Sequence, residues 1–142
     1  DLSGTNLSST DFTEADLTGT DMSRANLREA NLSQTHAQKA FFIGADLEGA
    51  TLNQCDLTEA DLSGAKMEKI AARKAILIST NLQRTDLQGA DLTETNFQNA
   101  NLTAAKLVES CLKNSNLSGA NLNQADLTDA DFNGVKGYPH KN

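Results

Sequence analysis

A hydrophobic residue recurs at every fifth position of this chain, and the phase never changes. Positions 2, 7, 12 and onward to 132 give 27 sites, of which 25 are Leu, Phe or Met. Two residues before each, positions 5 to 130 give 26 sites, of which 25 are Ala, Thr, Ser or Cys. Ala37 and Ala72 are the exceptions at the leucine sites, and Ile70 is the exception at the small-residue sites. Such a repeat predicts one structural unit stacked many times.

A period of five fits neither a regular helix nor a flat strand. On an α-helix, at about 100° per residue, successive leucines would spread around the whole circumference. On a strand, an odd spacing would place them on alternate faces. Both patterns leave the apolar side chains scattered. The leucines share one interior only if the chain turns once per pentad, so four turns make a coil of 20 residues and the coils stack about 4.8 Å apart.

Several pentads carry the consensus Ala-(Asp/Asn)-Leu-x-x, and through them the chain resembles the pentapeptide-repeat proteins. Clear examples are Ala15–Gly19, Ala25–Glu29, Ala90–Glu94 and Ala125–Asp129. The resemblance covers residues 1 to about 134. It implies an all-β fold, the right-handed quadrilateral parallel β-helix, here of about 6.75 coils and about 32 Å long. We expect one β-helix over residues 1–134 and a C-terminal tail or cap over residues 135–142.

The segment 66–78 looks helical when it is read alone, because helix-favouring residues surround Met67, Ile70 and Leu77. The register of the repeat argues against a helix there. Met67 and Leu77 keep their five-residue phase, which an inserted helix would have no reason to preserve. The large Ile70 also stands next to the small Ala72, an exchange that keeps the interior volume about constant. We therefore predict one atypical coil.

Composition limits the function classes. The chain has 142 residues, 38% hydrophobic content and a formal net charge of −7. No apolar run approaches the ~20 residues that a membrane-spanning helix needs, and no signal peptide is recognisable. We expect a segment that is soluble, in the cytoplasm or in a lumenal or periplasmic compartment. Because the repeat is already in phase at Asp1, we also expect a fragment or processed form of a longer protein.

No catalytic, metal or cofactor site stands out. His36 lies between Asp16 and Asp56 at a spacing of 20, but one imidazole and two carboxylates from separate coils favour a solvated column. Cys55 occupies an inward site and Cys111 an outward site almost three coils away, so we expect two reduced thiols. The many Ser and Thr residues occupy positions where the repeat uses small polar groups, so none is a candidate nucleophile. The sequence predicts a protein without enzymatic activity or cofactor.

Outward positions form columns at a spacing of 20. One column alternates in charge: Asp46, Lys66, Asp86, Lys106, Asp126. Opposite charges on neighbouring strands stabilise a sheet by roughly 0.2–1 kcal/mol per pair. This ladder explains the two lysines structurally, although a basic binding site is the alternative.

Four outward positions hold large apolar residues instead of polar ones: Phe41, Ile43, Ile76 and Ile78. Counted in coils of 20, the two pairs fall on adjoining faces, about 8 Å apart along the axis. We interpret this apolar quartet as a candidate protein contact. The alternative is that the four side chains are exposed singly or lie under another segment.

These observations leave two functions of different class. The first is a non-enzymatic scaffold or protein-interaction rod with an unidentified protein partner. Such a rod can be an excised domain of a longer protein. The second comes from the resemblance: some pentapeptide-repeat proteins mimic B-form DNA and inhibit type II topoisomerases such as gyrase. About 19 phosphate charges lie along 32 Å of DNA, whereas 12 basic residues offset most of the 19 acidic ones here. We therefore favour the scaffold and expect no direct nucleic acid binding, no membrane insertion and an undetermined oligomeric state. Insertion-free family members are abundant in cyanobacteria and chloroplast lumens.

Overall fold

The computed structural model describes residues 1–138, and these form a single stack of parallel coils without a helix. No extended strand forms either, because each coil contributes one-residue bridges only. Every bridge joins residues 20 apart in parallel, from Asn6↔Asn26 to Asn116↔Lys136. This confirms the predicted coil of 20 residues. No helix in the described part of the chain is long and apolar enough to span a membrane.

Each backbone amide of a regular pentad has its own acceptor, which accounts for the whole ladder. Three amides bond to neighbouring coils, one closes the corner, and one bonds to a side chain. In the pentad 26–30 these bonds are Asn26 N to Thr5 O (2.9 Å), Leu27 N to Asp46 O (2.7 Å), Arg28 N to Asn26 Oδ1 (3.1 Å), Glu29 N to Glu48 O (3.0 Å) and Ala30 N to Leu27 O (3.0 Å). The side-chain bond is an Asx turn. It explains the Asp or Asn that precedes most leucines.

Four flat faces follow from the four pentads of a coil. We number them by their leucine sites: the first face contains positions 2, 22, 42 and onward, the second 7, 27, 47, the third 12, 32, 52 and the fourth 17, 37, 57. On every face, the residues immediately before and after the leucine site point outward, and the leucine and the small residue point inward. The four faces enclose one continuous core.

The core confirms the inward assignment, including the atypical coil. The leucine-site residues from Leu17 to Leu117 are all buried. Ile70 and Ala72 are 2% and 1% exposed, so the large and small residues exchange places without opening the interior. The segment 66–78 forms regular bridges instead of a helix. The pentad register therefore overrides the local helix preference.

The corners are made by residues in the left-handed conformation. Glycines take this position in part of the pentads, such as Gly64 with φ of 66°. Elsewhere residues with side chains adopt it, for example Glu59 with φ of 60° and Lys69 with φ of 59°. A left-handed residue other than glycine costs roughly 1–2 kcal/mol. The bond from the corner amide to the next coil offsets this cost.

At the C-terminal end, the described ladder extends to Lys136. The ring of Tyr138 stacks on Phe132, with centroids 4.8 Å apart and planes inclined by 27°. Phe132 belongs to the last leucine site, so Tyr138 covers part of the core at this end. The division into a β-helix over 1–134 and a tail over 135–142 remains a prediction, and residues 139–142 lie outside the described residues.

The predicted charge ladder forms only in part. Lys106 Nζ lies 4.0 Å from Asp86 Oδ2. Lys66, in contrast, forms no ion pair within residues 1–138. The reason is that Asp46, its expected partner, binds Arg28 Nη1 at 3.2 Å from the other side. Arg28 also reaches Glu48 at 2.6 Å. The prediction for Lys66 was wrong because the Arg28 guanidinium, from another column, binds Asp46, and the other neighbouring carboxylate, Asp86, pairs with Lys106.

Candidate interaction surface

The structure places the apolar quartet as two pairs on adjoining faces. Phe41 and Ile43 flank a leucine site on the first face, and they are 44% and 41% exposed. Ile76 and Ile78 flank a leucine site on the fourth face and are half-buried. Single exposed apolar residues are normal on a protein surface, whereas neighbouring ones are less common. Each pair is thus a small apolar patch within an otherwise polar face.

A charged corner separates the two pairs. Lys39 and Glu59 occupy the edge between the fourth and first faces, with Nζ and Oε2 3.8 Å apart. Both side chains are mostly exposed, so this ion pair contributes little to stability. It does prevent the quartet from forming one continuous patch. A partner that contacts all four residues has to wrap around this corner.

Both apolar pairs also lack the Asx turn. In regular pentads the Asp or Asn before the leucine accepts the amide that follows the leucine, as Asp61 does for Ser63 at 2.9 Å. Phe41 and Ile76 have no side-chain acceptor. Within residues 1–138, the amides of Ile43 and Ile78 have no hydrogen-bond acceptor. These two outward amides are therefore left to water or to a partner, as are those of other described pentads without Asp or Asn before the leucine site, namely Gln38, Asn53, Glu68, Val108 and Lys113.

His36 lies where the sequence placed it, in the outward column between Asp16 and Asp56. An open groove beside this column, along the edge between the third and fourth faces, is lined by Gln34, Gln54 and Ile76. Asp56 is engaged within the fold, because Gln38 Nε2 donates to its Oδ2 at 2.8 Å. No three His, Cys, Asp or Glu side chains of the described chain are grouped as metal ligands.

The two cysteines differ as predicted. Cys55 is buried and free, and its Sγ lies 2.8 Å from the hydroxyl of Thr35. Burial raises the pKa of the Cys55 thiol to about 12. Cys111 is also free but partly exposed on the third face. Since the thiolate is the reactive form, we expect Cys55 to be protected from thiol reagents in the folded chain.

Sequence reasoning missed the Asx turn, which is the main contact that the outward residues make with the backbone. The signal was present in the sequence as the frequent Asp or Asn before each leucine. From the sequence alone this residue indicates only an outward polar position, because the direction of the following amide depends on the corner geometry. The missing turn at Ile43 and Ile78 could not be inferred without it.

Stacked four-sided coils with this hydrogen-bond pattern define a quadrilateral β-helix, a class of solenoid protein. The sequence profile of pentapeptide repeats matches the chain in eight copies, over overlapping segments between residues 1 and 136. The chain belongs to the pentapeptide repeat family, and its fold is the right-handed quadrilateral β-helix of that family. The predicted family and fold class are thereby confirmed. No curated protein sequence matches the chain.

Solved structures of the family resemble the whole chain. HetL, a pentapeptide repeat protein involved in heterocyst differentiation regulation in the cyanobacterium Nostoc sp. strain PCC 7120, is 31% identical. The match covers 97% of this chain and 78% of HetL, with a TM-score of 0.63. QnrB1, a plasmid-mediated fluoroquinolone resistance protein, is 22% identical over 94% of this chain and 86% of its own, with a TM-score of 0.60. The first likeness supports the family, whereas the second shows the fold alone.

Proposed function

We propose that this chain is a non-enzymatic protein-interaction rod, and that Phe41, Ile43, Ile76 and Ile78 contact its protein partner. The observation that supports this most strongly is the pair Phe41 and Ile43, the two large hydrophobic residues that are most exposed. Exposed apolar area stabilises an association only when a partner covers it. Neither pair is needed inside, since the core is complete beneath them.

The free outward amides, which the quartet shares with the other pentads that lack Asp or Asn, can contribute to such an interface. A partner that covers Ile43 or Ile78 can accept a hydrogen bond from the free amide next to the apolar side chain. A regular pentad, with its amide already bonded to Asp or Asn, offers no such donor. Apolar contact together with a few directed hydrogen bonds is the usual composition of a specific protein interface.

The charge distribution gives less support to the DNA-mimic alternative. Basic residues bind several of the outward carboxylates, among them Arg28 with Glu48 at 2.6 Å and Lys113 with Asp131 at 3.4 Å. A mimic of the DNA backbone needs unpaired negative charge along its length. Gyrase supercoiling assays on this chain are expected to show no inhibition. Salt-sensitive inhibition at micromolar concentration would favour the DNA mimic over the protein-interaction rod.

The proposal is tested by replacing the four apolar residues with Thr, which already occupies equivalent outward sites such as Thr58 and Thr103. The wild type and the variant are compared as immobilised bait in a cyanobacterial lysate and by sedimentation velocity. We expect the variant to fold normally and to lose association. A control variant, Val108→Thr, changes an outward apolar residue on the second face and should retain it. Unchanged association of the quadruple variant would refute the contact.

A further inference from the structure

The outward column before the leucine sites of the fourth face has an unusual order. Consecutive bridges join its seven residues, Asp16, His36, Asp56, Ile76, Asn96, Asn116 and Lys136. Ile76 stands in the middle. Acceptor or acidic residues lie mainly on its N-terminal side, and donor or basic residues lie on its C-terminal side.

This order is self-complementary when the column meets a reversed copy of itself. With the two columns centred on Ile76, Asp16 faces Lys136 and Asp56 faces Asn96 of the other copy. His36 faces Asn116, and the isoleucine faces itself. The column that follows the leucine sites of the fourth face is matched in the same way, because Ile78 then meets Ile78 of the other copy. We propose that a second copy of this chain packs antiparallel against the fourth face, on a twofold axis through Ile76 and Ile78.

The geometry of the face permits this dimer. A twofold axis that lies in the interface, perpendicular to the rod, reverses the rod but keeps the column before the leucine opposite the same column of its partner. The column from Asp16 to Lys136 spans six bridges, or about 29 Å. If the accessible surface of 6902 Å² were shared equally by four faces, each face would offer roughly 1,700 Å², about twice what one partner of a standard interface buries.

Hydrogen-bonding states within one chain fit the proposed pairs. Asn96 Oδ1 accepts the amide of Gln98 at 3.0 Å, and Asn116 Oδ1 accepts the amide of Ser118 at 3.0 Å. The NH₂ groups of both asparagines are therefore the atoms left to face outward. Asp56 already accepts from Gln38 and Thr58, but its carboxylate oxygens keep further lone pairs for such donors. A ring nitrogen of His36 can accept as well. On the adjoining edge, Lys74 lies close to the proposed axis, but Glu94 pairs with it at 3.9 Å.

In the same register, centred on the middle residue of each column, the other three faces do not match themselves. On the second face this operation places Lys66 against Lys66. A register shifted by half a coil pairs Lys66 with Asp86 and Asp46 with Lys106, but it brings no apolar residues together at the axis. The centred register places Asp11 against Asp131 on the third face and Asp61 against Asp61 on the first face. Like charges placed opposite each other are destabilising. The fourth face therefore brings apolar residues together at the centre and opposite charges together at the ends.

The proposal rests on the proposed function in one respect, because it uses Ile76 and Ile78 as contact residues. Sedimentation equilibrium of the chain over a range of concentrations is expected to show dimers. Ile76→Asp places two carboxylates on the twofold axis and should leave monomers. The fold should tolerate this change, because Asp is common at this position of the pentad. The repulsion from Asp56, one coil earlier, is matched in the control, where the new carboxylate lies one coil from Asp91. The matched control, Ala71→Asp on the third face, should still dimerise.

A charge exchange tests the register. Asp16→Lys and Lys136→Asp each place like charges at the ends of the interface, and each should raise the dimer dissociation constant about tenfold. The double variant restores opposite charges and should return the constant to that of the wild type. Within one chain the two residues are about 29 Å apart, well beyond the screening length of about 8 Å at physiological salt. Rescue therefore reports a contact between copies.

The outcomes separate this dimer from the proposed function. Phe41→Thr with Ile43→Thr should leave the dimer intact, because these residues lie on the first face. Monomers at every concentration, or no rescue by the charge exchange, would overturn the dimer. If the chain is monomeric and the quadruple Thr variant still loses capture of another protein, the dimer fails and the proposed function stands. If the quadruple variant dimerises as well as the wild type and also captures the same proteins, both fail.

Discussion

The inward and outward positions of this chain obey different rules, although they alternate within the same five residues. Inward side chains vary little, and the leucine sites from Met22 to Leu117 are at most 2% exposed. Outward side chains include acids, bases, amides and the apolar quartet. The interior is a narrow tube, where each side chain has fixed neighbours in the coils above and below. An outward side chain meets water, its own column and the neighbouring column of the same face.

Besides the left-handed corners, the fold constrains the exterior through the Asx turn, and it tolerates the loss of this turn. The coil that contains Ile76 has the same bridges and ladder bonds as its neighbours. Backbone bonds between coils therefore determine the architecture, and the outward residues are left to determine binding. The comparison predicts large effects of substitution inside the tube and small ones outside it.

The most direct test of this difference is to place the same charge at adjacent inward and outward positions. Leu82→Asp buries a carboxylate without a partner and should abolish cooperative unfolding. Gln83→Asp, one residue later, should change the free energy of unfolding by less than about 0.5 kcal/mol. Urea unfolding followed by circular dichroism measures both. Equal tolerance at the two sites would refute the assignment of Leu82 to the interior.

The two thiols provide a chemical test of the same contrast. Native chain treated with a thiol reagent at pH 8 should react once per molecule, at Cys111, and a second time only in urea. Cys55 should be protected because it is buried and its pKa is raised to about 12. Cys111→Ser should remove the native reaction, whereas Cys55→Ser should not. Rapid labelling of Cys55 in the native chain would mean that the coils separate readily.

Two buried serines test how hydrogen bonding affects stability within the interior. Ser110 Oγ donates to Leu107 O at 2.7 Å, whereas Ser115 Oγ, one pentad later, is buried without a partner. Removing a paired hydroxyl loses a hydrogen bond, but removing an unpaired one relieves a desolvation cost. Ser115→Ala should therefore give a protein about 1 kcal/mol more stable than Ser110→Ala does. Thermal and urea unfolding of the two variants check the difference, and the reverse order would show that Ser115 has an acceptor.

The smallest effect concerns outward carboxylates that accept the Asx turn. Hydrogen bonds from the Thr128 side chain and amide, together with the charge of Lys106, lower the pKa of Asp126 from 3.8. A lowered pKa in the folded chain stabilises it above pH 3.8, and this contribution is lost as the pH falls through the lower value. Asp126→Asn keeps the acceptor but does not titrate. Its urea midpoint should fall less between pH 5 and pH 2 than that of the wild type.

The converse variant is the control for that experiment. Asn101 makes the same turn with Thr103, through an Oδ1 to amide distance of 3.1 Å. Asn101→Asp should make stability more sensitive to acid over the same pH range. If neither substitution changes the pH dependence, the outward carboxylates contribute no measurable stability through their turns.

The coil, the interior and the family follow from the five-residue period of the sequence. A five-residue period admits one arrangement that gathers every leucine, so Met67, Ile70 and Ala72 could be placed inward in spite of a helical appearance. The contacts between outward residues could be identified only from the three-dimensional structure. Arg28 rather than Lys66 binds Asp46, and the apolar quartet is split by a corner, because such contacts depend on side-chain reach between columns. Periodicity fixes which residues face inward, whereas three-dimensional packing fixes which outward residues meet.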